Sequence, residues 1–289
     1  MQHFFVKNNQ INDGKIKIIG KDVNHIKNVL RCKVNEKIEV SVLESGEKFL
    51  VEILEFNNEE ILCGVVEKID VDCESNVKIN IIQGLPKSDK MELIIQKCTE
   101  LGVKEITPLE LDRCVVKLSG KDVDKKLARW ESIAETAAKQ CGRNSITKIN
   151  RIYNLKNISE ILQGYDLVVV AYEGEKEVGL KDVLNELKFK NLQQELALGA
   201  LNNFEGVGIG VAESVDGGFG NKSGANLNEE FSVAVIIGPE GGLEEKEVEA
   251  LKKMGARSVS LGKRILRTET VAIVLSSVIM YELGEFGEV

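Results

Sequence analysis

The sequence holds two histidines, three prolines and one tryptophan in 289 residues, and its scarcities narrow the field first. His3 and His25 are its only imidazoles, and Cys32, Cys63, Cys73, Cys98, Cys114 and Cys141 form no Cys-x-x-Cys pair. Neither a zinc site nor a disulfide framework is supported, so the chain reads as metal-free and suited to a reducing cytoplasm. The start, "MQHFFVKNNQ", lacks the apolar core of a signal peptide. The longest apolar run, "TVAIVLSSVIMYEL" from Thr270, is about 14 residues, short of the ~20 that a bilayer demands, and predicts a buried helix. Positive charge is also in deficit: 38 Lys and Arg against 46 Asp and Glu leave a net charge of -8, which argues against loose, nonspecific polyanion binding.

The deficit is uneven. Residues 1–34 carry seven basic and two acidic side chains, residues 35–75 three and twelve, residues 76–160 sixteen and eleven, and residues 161–289 twelve and twenty-one. A polyanion senses charge within a Debye length of about 8–10 Å, so the two basic blocks leave local RNA contact open. At 43% hydrophobic and 29% charged, the chain is globular and long enough for two domains.

Up to about residue 75, "HFFV", "KIKII", "KIEVSVL", "EKFLVEILEF" and "EILCGVVEKI" read as strands, and "DVNHIKNVLRC" as one helix with Asp22 as its N-cap. They predict a small β-barrel-like domain over 1–75. From residue 76 to 289, strands alternate with helices: "VKINIIQ", "SDKMELIIQKCTELG", "KEITPLE", "DVDKKLARWESIAETAAKQCG", "YDLVVVAYE", "LKDVLNELKF", "SVAVIIG", a helix after Gly242, "SVSLG" and a closing helix from Thr268. That alternation predicts an α/β fold with a parallel sheet covered on both faces. Residues 198–230, rich in Gly, Asn and Ser, read as a flexible insertion. Its "GVGIGVA" does not satisfy G-x-G-x-x-G and has no βαβ frame, which disfavours a dinucleotide site.

Two glycine turns stand out. "IIGPEGGLEEKEVEAL" runs from a strand through Gly238, Gly241 and Gly242 into a helix whose first turn holds Glu244 and Glu245. A phosphate would meet those carboxylates, and no phosphate-loop Lys followed by Ser or Thr is present. The glycines instead open backbone groups to the edge of an adenine, and the acid tolerates a cationic ligand; the plainer alternative is a tight strand-to-helix connection. "LGKRILRTETVAIVLSSV" repeats the pattern, with Thr268 as a helix N-cap and Glu269 in the first turn. Placed at the ends of neighbouring parallel strands, the two turns converge on the crevice where such sheets bind ligands, and the end of "VVVAYEGE" could join them.

"GPEGG" followed by "LGKRILRTET" resembles the signature of the RsmE family, bacterial 16S ribosomal RNA uridine N3-methyltransferases of the SPOUT superfamily. "HFFV" and "HIKNVLRCKVNEKIEV" resemble that family's PUA-like RNA-binding domain, while "LPKSDKMELIIQKCTELGVKEITPL" and "ETAAKQCGRNSITKI" resemble its internal motifs. The likeness spans nearly the whole chain, and 198–230 departs from it.

The resemblance implies a PUA-like RNA-binding β-barrel over 1–75 and a trefoil-knotted SPOUT α/β domain over 76–289. It further implies a cytoplasmic homodimer that uses S-adenosyl-L-methionine to methylate 16S rRNA within the assembled small ribosomal subunit. The positions that match the cofactor loops are Ala171, Glu173, Ile237, Gly238, Glu240, Gly242, Leu261, Gly262, Ile265, Leu266, Arg267 and Thr270. Matching RNA contacts are Lys27, Arg31, Lys33, Lys87, Lys90, Arg113, Gln140 and Arg143, with a solvated surface as the alternative for Lys27 and Lys33. Methyl transfer to uridine N3 needs the negative charge on O2 and O4 stabilised, for which Arg267 is the first candidate and Arg143 the second. The alternative for Arg267 is a salt bridge to Glu269 or Glu240. Glu269 could serve as base or cap its helix. Other readings are a SPOUT enzyme for a different nucleotide and a non-catalytic RNA-binding assembly factor.

Overall fold

The structure, a computed structural model, describes residues 1–70, 73–189 and 231–286. The expectation for 198–230 lies outside the described residues. Two sheets, each with its own apolar cluster, organise the rest.

The first sheet contains β1 (His3–Val6), β2 (Ile11–Asn12), β3 (Lys15–Ile19), β4 (Lys37–Val42), β5 (Lys48–Phe56) and β6 (Glu60–Ile69), in the order β1-β4-β5-β6-β3-β2. All pairs are antiparallel except β1 with β4. In "KIKII", Ile16 and Ile18 are buried while Lys15 and Lys17 point out, the period-two pattern of a half-buried strand. Register shifts between Leu50 and Val51 and between Ile53 and Glu55 mark bulges that curl the sheet.

The expected helix over "DVNHIKNVLRC" is shorter and wider than predicted. It consists of α1 (Lys21–Asn24), which starts after Gly20, and a π turn from His25 to Val29. The wide turn closes through Leu30 N–H to His25 C=O at 2.9 Å and ends at Arg31, whose φ is +57°. Asp22 does not cap the helix; its carboxylate takes Lys139 Nζ at 2.9 Å instead.

The second sheet comprises β7 (Lys78–Gly84), β8 (Glu105–Glu110), β9 (Lys148–Ile149), β10 (Tyr153–Asn154), β11 (Leu167–Ala171), β12 (Ser232–Ile237) and β13 (Arg257–Val259). Its order is β10-β8-β7-β12-β11-β13 with β9 beside β8, and every pair is parallel. The helices are α2 (Lys90–Glu100), α3 (Lys121–Cys141), α4 (Ser159–Leu162), α5 (residues 180–189), α6 (Glu245–Lys253) and α7 (Thr268–Glu282). β7 is buried from Ile79 through Gly84 and β12 from Val233 through Ile237, as covered parallel strands require. No helix among the described residues is long and apolar enough to cross a membrane.

One expectation about this sheet needs correction. The two glycine turns do not leave neighbouring strands, because β11 lies between β12 and β13. "VVVAYEGE" therefore forms the middle of the crevice rather than an optional third side.

The chain halves meet through charge. Lys139 on α3 takes Asp22 at 2.9 Å and Glu135 at 2.8 Å, and Glu135 also pairs with Lys21.

Gly84, which ends β7, fixes how closely β12 can pass: a Cβ built on it would meet the Cδ and N of Pro239 at 2.7 Å. Gly84→Ala is expected to lower stability by on the order of 1–3 kcal/mol, as overpacking against backbone does. Urea unfolding checks it, and an unchanged midpoint would show that the β12 turn yields freely.

Candidate functional site

Parallel register sets Gln83, Ile237, Ala171 and Val259 in one row across β7, β12, β11 and β13. The chain leaves β12, β11 and β13 just beyond that row, so three loops open at one edge.

The β12 turn is largely self-satisfied rather than open. Gly238 C=O accepts the Thr268 hydroxyl at 2.7 Å, Pro239 C=O accepts Gly242 N–H at 2.9 Å, and Gly241 C=O accepts Arg113 Nη1 at 2.8 Å. Glycine is required twice by geometry. A Cβ on Gly238 would lie 3.0 Å from the Gly242 carbonyl carbon, and Gly242 has φ +70° with Glu173 Oε1 2.5 Å from where its Cβ would stand. The following helix, α6, starts with a capping box in which Glu244 and Glu247 each accept from the other's N–H. Glu247 is fully buried and also accepts Asp112 N–H at 2.9 Å, tying the β8 loop to this turn.

Glu240 is not a free acid. Its carboxylate accepts Lys87 N–H at 3.0 Å and Lys90 Nζ at 2.9 Å, and Lys90 also lies 3.5 Å from Glu269 Oε2. Burial pushes the Glu240 carboxyl up, but the Lys90 ammonium and the backbone N–H groups outweigh it and hold the carboxyl below its usual range. The Lys90 ammonium is raised, chiefly by its bond to Glu240.

Thr268 is the first residue of α7, not its cap: Arg267 occupies the cap position, and the Thr268 hydroxyl goes to Gly238 instead. On the β11 loop, Glu175 is held down to about 2 by hydrogen bonds from the Ser258 hydroxyl and from the N–H groups of Glu177, Val178 and Lys176.

These parts enclose a cavity of about 360 Å³ whose walls include Ala171, Glu173, Ile237, Gly238, Glu240, Gly242, Ile265, Leu266 and Arg267. A chamber of about 130 Å³ shares Ala171, Glu173, Ile265 and Leu266 with it and adds Leu261 and Gly262. Every position matched to the cofactor loops except Thr270 therefore lines one of two adjoining spaces; Thr270 sits half-buried on α7, and Thr268 takes its place in the wall. Sequence reading missed Lys90 as a wall residue, and missed Gln83 and Gly84 beneath it. The sign for Gln83 was a polar residue closing the apolar run "INII".

Arg267 is exposed and, among the described residues, makes no ion pair, because Lys90 has taken both Glu240 and Glu269. Glu269 accepts no hydrogen bond from the helix N-terminus, and its Oε2 is buried with only the charge contact to Lys90. Arg143 is a correction. At 3% exposure it donates to Thr99 and Val103 carbonyls, Thr147 Oγ1 and the Glu74 carboxylate, and none of these lines the cavity. It is a structural joint, with no donor turned toward a base or a phosphate.

The remaining candidates scatter. Lys27 donates to Asn57 C=O at 2.5 Å and lies over the Phe56 ring, whereas Arg31 and Lys33 are exposed. Lys87 is exposed beside Glu240, Arg113 clamps the glycine turn, and Gln140 lines a space of about 560 Å³ between α3 and the first sheet. No group of three His, Cys, Asp or Glu that could hold a metal occurs among the described residues.

The RNA methyltransferase domain family matches residues 73–199 and 213–280, skipping part of the expected insertion, and the RNA methyltransferase PUA domain family matches residues 18–66. The chain is similar to the Ribosomal RNA small subunit methyltransferase E of Bacillus subtilis, with 31% identity over 285 residues that cover 98% of this chain and 97% of that protein. It is similar to a Legionella pneumophila structure in complex with bound cofactor SAM, with a TM-score of 0.73, 25% identity and 96% of each chain covered. The fold is also that of a Neisseria gonorrhoeae Ribosomal RNA small subunit methyltransferase E bound to S-adenosyl methionine, with a TM-score of 0.73, 22% identity, and 99% of this chain and 100% of that one covered.

Lys90→Met would leave Glu240 and Glu269 without their shared cation. With Lys90 in place, the depressed Glu240 carboxyl contributes stability above the unfolded value near 4.3, lost as pH falls through its lower folded value. The variant is therefore expected to be less stable at pH 7 and to approach the parent only at about pH 3, well below the unfolded value, as the folded Glu240 carboxyl takes up its proton. Urea unfolding at both pH values decides it; an equal deficit at each would reduce Lys90 to packing.

Proposed function

This chain belongs to the ribosomal RNA small subunit methyltransferase E family, and on that premise we propose that it methylates N3 of a uridine in 16S rRNA of the assembled small ribosomal subunit, using S-adenosylmethionine. The observation that carries the reading is the pair of adjoining spaces at three parallel strand ends, lined by the positions that match the family's cofactor loops. Their walls fit the cofactor: Gly242, having no Cβ, lets the Glu173 carboxylate close in on the turn, and that carboxylate, among the described residues, has no counter-charge, suited to a cationic ligand. Ala171, Glu173, Ile237, Gly238, Gly242, Leu261, Gly262, Ile265 and Leu266 would hold it. When bound, the cofactor supplies an electrophilic methyl group on a sulfonium.

The chain's own task is to make uridine N3 a nucleophile. N3–H must lose its proton, and the resulting charge spreads over O2 and O4. The uncommitted Arg267 guanidinium lines the larger space and would stabilise those oxygens electrostatically. Glu269, the sequence candidate for the base, keeps its Oε2 buried against Lys90 and outside the cavity wall, so the N3 proton leaves to solvent water as the charge on O2 and O4 is stabilised. The RNA is gripped by Arg31, Lys33 and Lys87, which are exposed, and by Gln140 at the junction of the two sheets. The reading includes residues 1–75 as the RNA-binding domain, residues 76–289 as the knotted methyltransferase domain, and a cytoplasmic homodimer. Two observations support it: β12 inserts between the earlier strands β7 and β11, and α7 leaves Tyr281 67% exposed beside half-buried Val274 and Ser277.

The test is nucleoside mass spectrometry of small subunits lacking N3-methyluridine after incubation with the protein and S-adenosylmethionine, with naked 16S rRNA alongside. N3-methyluridine is expected on subunits and not on naked RNA; methylation of another nucleotide, or none by protein that binds the cofactor, would overturn the proposal. Arg267→Ala is expected to lower kcat by on the order of 10²–10³-fold, as loss of an oxyanion donor does. A rate within threefold of the parent would remove Arg267 from that role.

A further inference from the structure

Beneath the cavity lies a buried polar chain that neither the cofactor loops nor the proton-transfer candidates account for. Gln83, fully buried at the end of β7, donates Nε2 to Thr268 Oγ1 at 2.8 Å and to Gly84 C=O at 2.9 Å. Thr268, 6% exposed, donates its own hydroxyl to Gly238 C=O at 2.7 Å. One amide thereby links three parts of the chain distant in sequence: the β7 end, the turn after β12 and the first residue of α7. Since β11 separates β12 from β13, no strand pairing fixes the two glycine turns to each other, and this chain is a direct bond between them. Amide to hydroxyl to carbonyl is also a sequence in which each bond polarises the next.

The arrangement is costly as packing. Gln83 Oε1 is buried with no partner, and burying an unpaired polar atom is unfavourable where an aliphatic side chain of similar volume would have none to bury.

We propose that Gln83 and Thr268 are positioning residues of the methyl-transfer site: they hold the Gly238 turn and the N-terminus of α7 at the separation the cofactor spans. The inference rests on the cofactor assignment above. Neither residue reacts; both act through Gly238, whose loop lines the cavity, and through Arg267, the residue before Thr268.

The experiment measures S-adenosylmethionine binding by calorimetry, methylation kinetics and thermal midpoint for the parent, Thr268→Val, Thr268→Ser and Gln83→Leu. Thr268→Val keeps the shape and removes the hydroxyl, so about a tenfold weaker Kd is expected, the size of one net hydrogen bond; Thr268→Ser should restore it. Gln83→Leu should weaken cofactor binding similarly while holding or raising the thermal midpoint, because the orphaned acceptor is gone. That split separates positioning from mere structural support. Binding within threefold of the parent by Thr268→Val, with only its midpoint lowered, would overturn the inference. A parent that binds no S-adenosylmethionine would instead sink the cofactor assignment, and this inference with it. Should Gln83→Leu not fold, the Thr268 pair still decides.

Discussion

Parallel pairing of β7, β12, β11 and β13 is the constraint on which the site depends, because parallel strands end at the same edge and their loops must open side by side. Register makes this concrete: Gln83, Ile237, Ala171 and Val259 stand level, and Gly238, Glu173, Leu261 and Gly262 of the crevice follow closely after that row. A slip of one residue in β12 would turn Ile237 to the opposite face and carry Gly238 out of reach of Thr268. The close pass at Gly84 and the positive φ at Gly242 follow from the same demand, since strand ends packed this tightly leave no room for side chains where their turns cross.

Charge around the crevice is arranged to leave little uncommitted. Lys90 stands between Glu240 and Glu269, Arg113 approaches Glu244, and Lys246 pairs with both Asp112 and Glu244. Among the described charged residues that line the larger space, Glu173 and Arg267 remain unpaired, as do Lys263 and Arg264 in the wall of the smaller chamber. The acidic glycine turn invited a reading in which Glu240 meets a cationic ligand. Lys90 already neutralises Glu240, whereas Glu173 has no counter-charge among the described residues. Opposite uncommitted charges lining one space suit a cationic methyl donor and, on the proposed reading, an anionic form of the target base.

Elements were legible in the sequence where burial imposes a period. "KIKII" announced a half-buried strand and "SVAVII" a covered one, and Gly102 and Gly142 marked helix ends with φ of +88° and +77°. Most of the positions singled out by motif likeness line the two adjoining spaces. What periodicity does not encode is which strand lies beside which, so the place of β11 between the two turns had to come from the structure. The destinations of short polar side chains were equally hidden. Asp22 and Thr268 read as caps in the sequence, yet each sits inside the first turn of its helix and bonds a group far along the chain, Lys139 in one case and Gly238 in the other. Local rules describe the partners a side chain finds among its neighbours, and tertiary packing supplied stronger ones.

Arg143 shows how a motif residue can serve architecture. It follows Gly142, whose left-handed conformation ends α3, and its guanidinium gathers the carbonyls of Thr99 and Val103 at the end of α2 together with Glu74 in the connection from the first sheet. Burial pushes the Glu74 carboxyl up, but Arg143 and Ser145 hold it below its usual range, so the pair stays charged in a half-buried setting. The other end of the same argument lies along α3, where Lys139 and Glu135 bind Asp22 and Lys21 of the first sheet. These two sets of contacts run through the last two turns of α3 and the turn just beyond it. An RNA held by the N-terminal sheet is thus referred to the crevice through one helix end, and the rigidity of that end, rather than any direct contact with the substrate, is what Arg143 contributes.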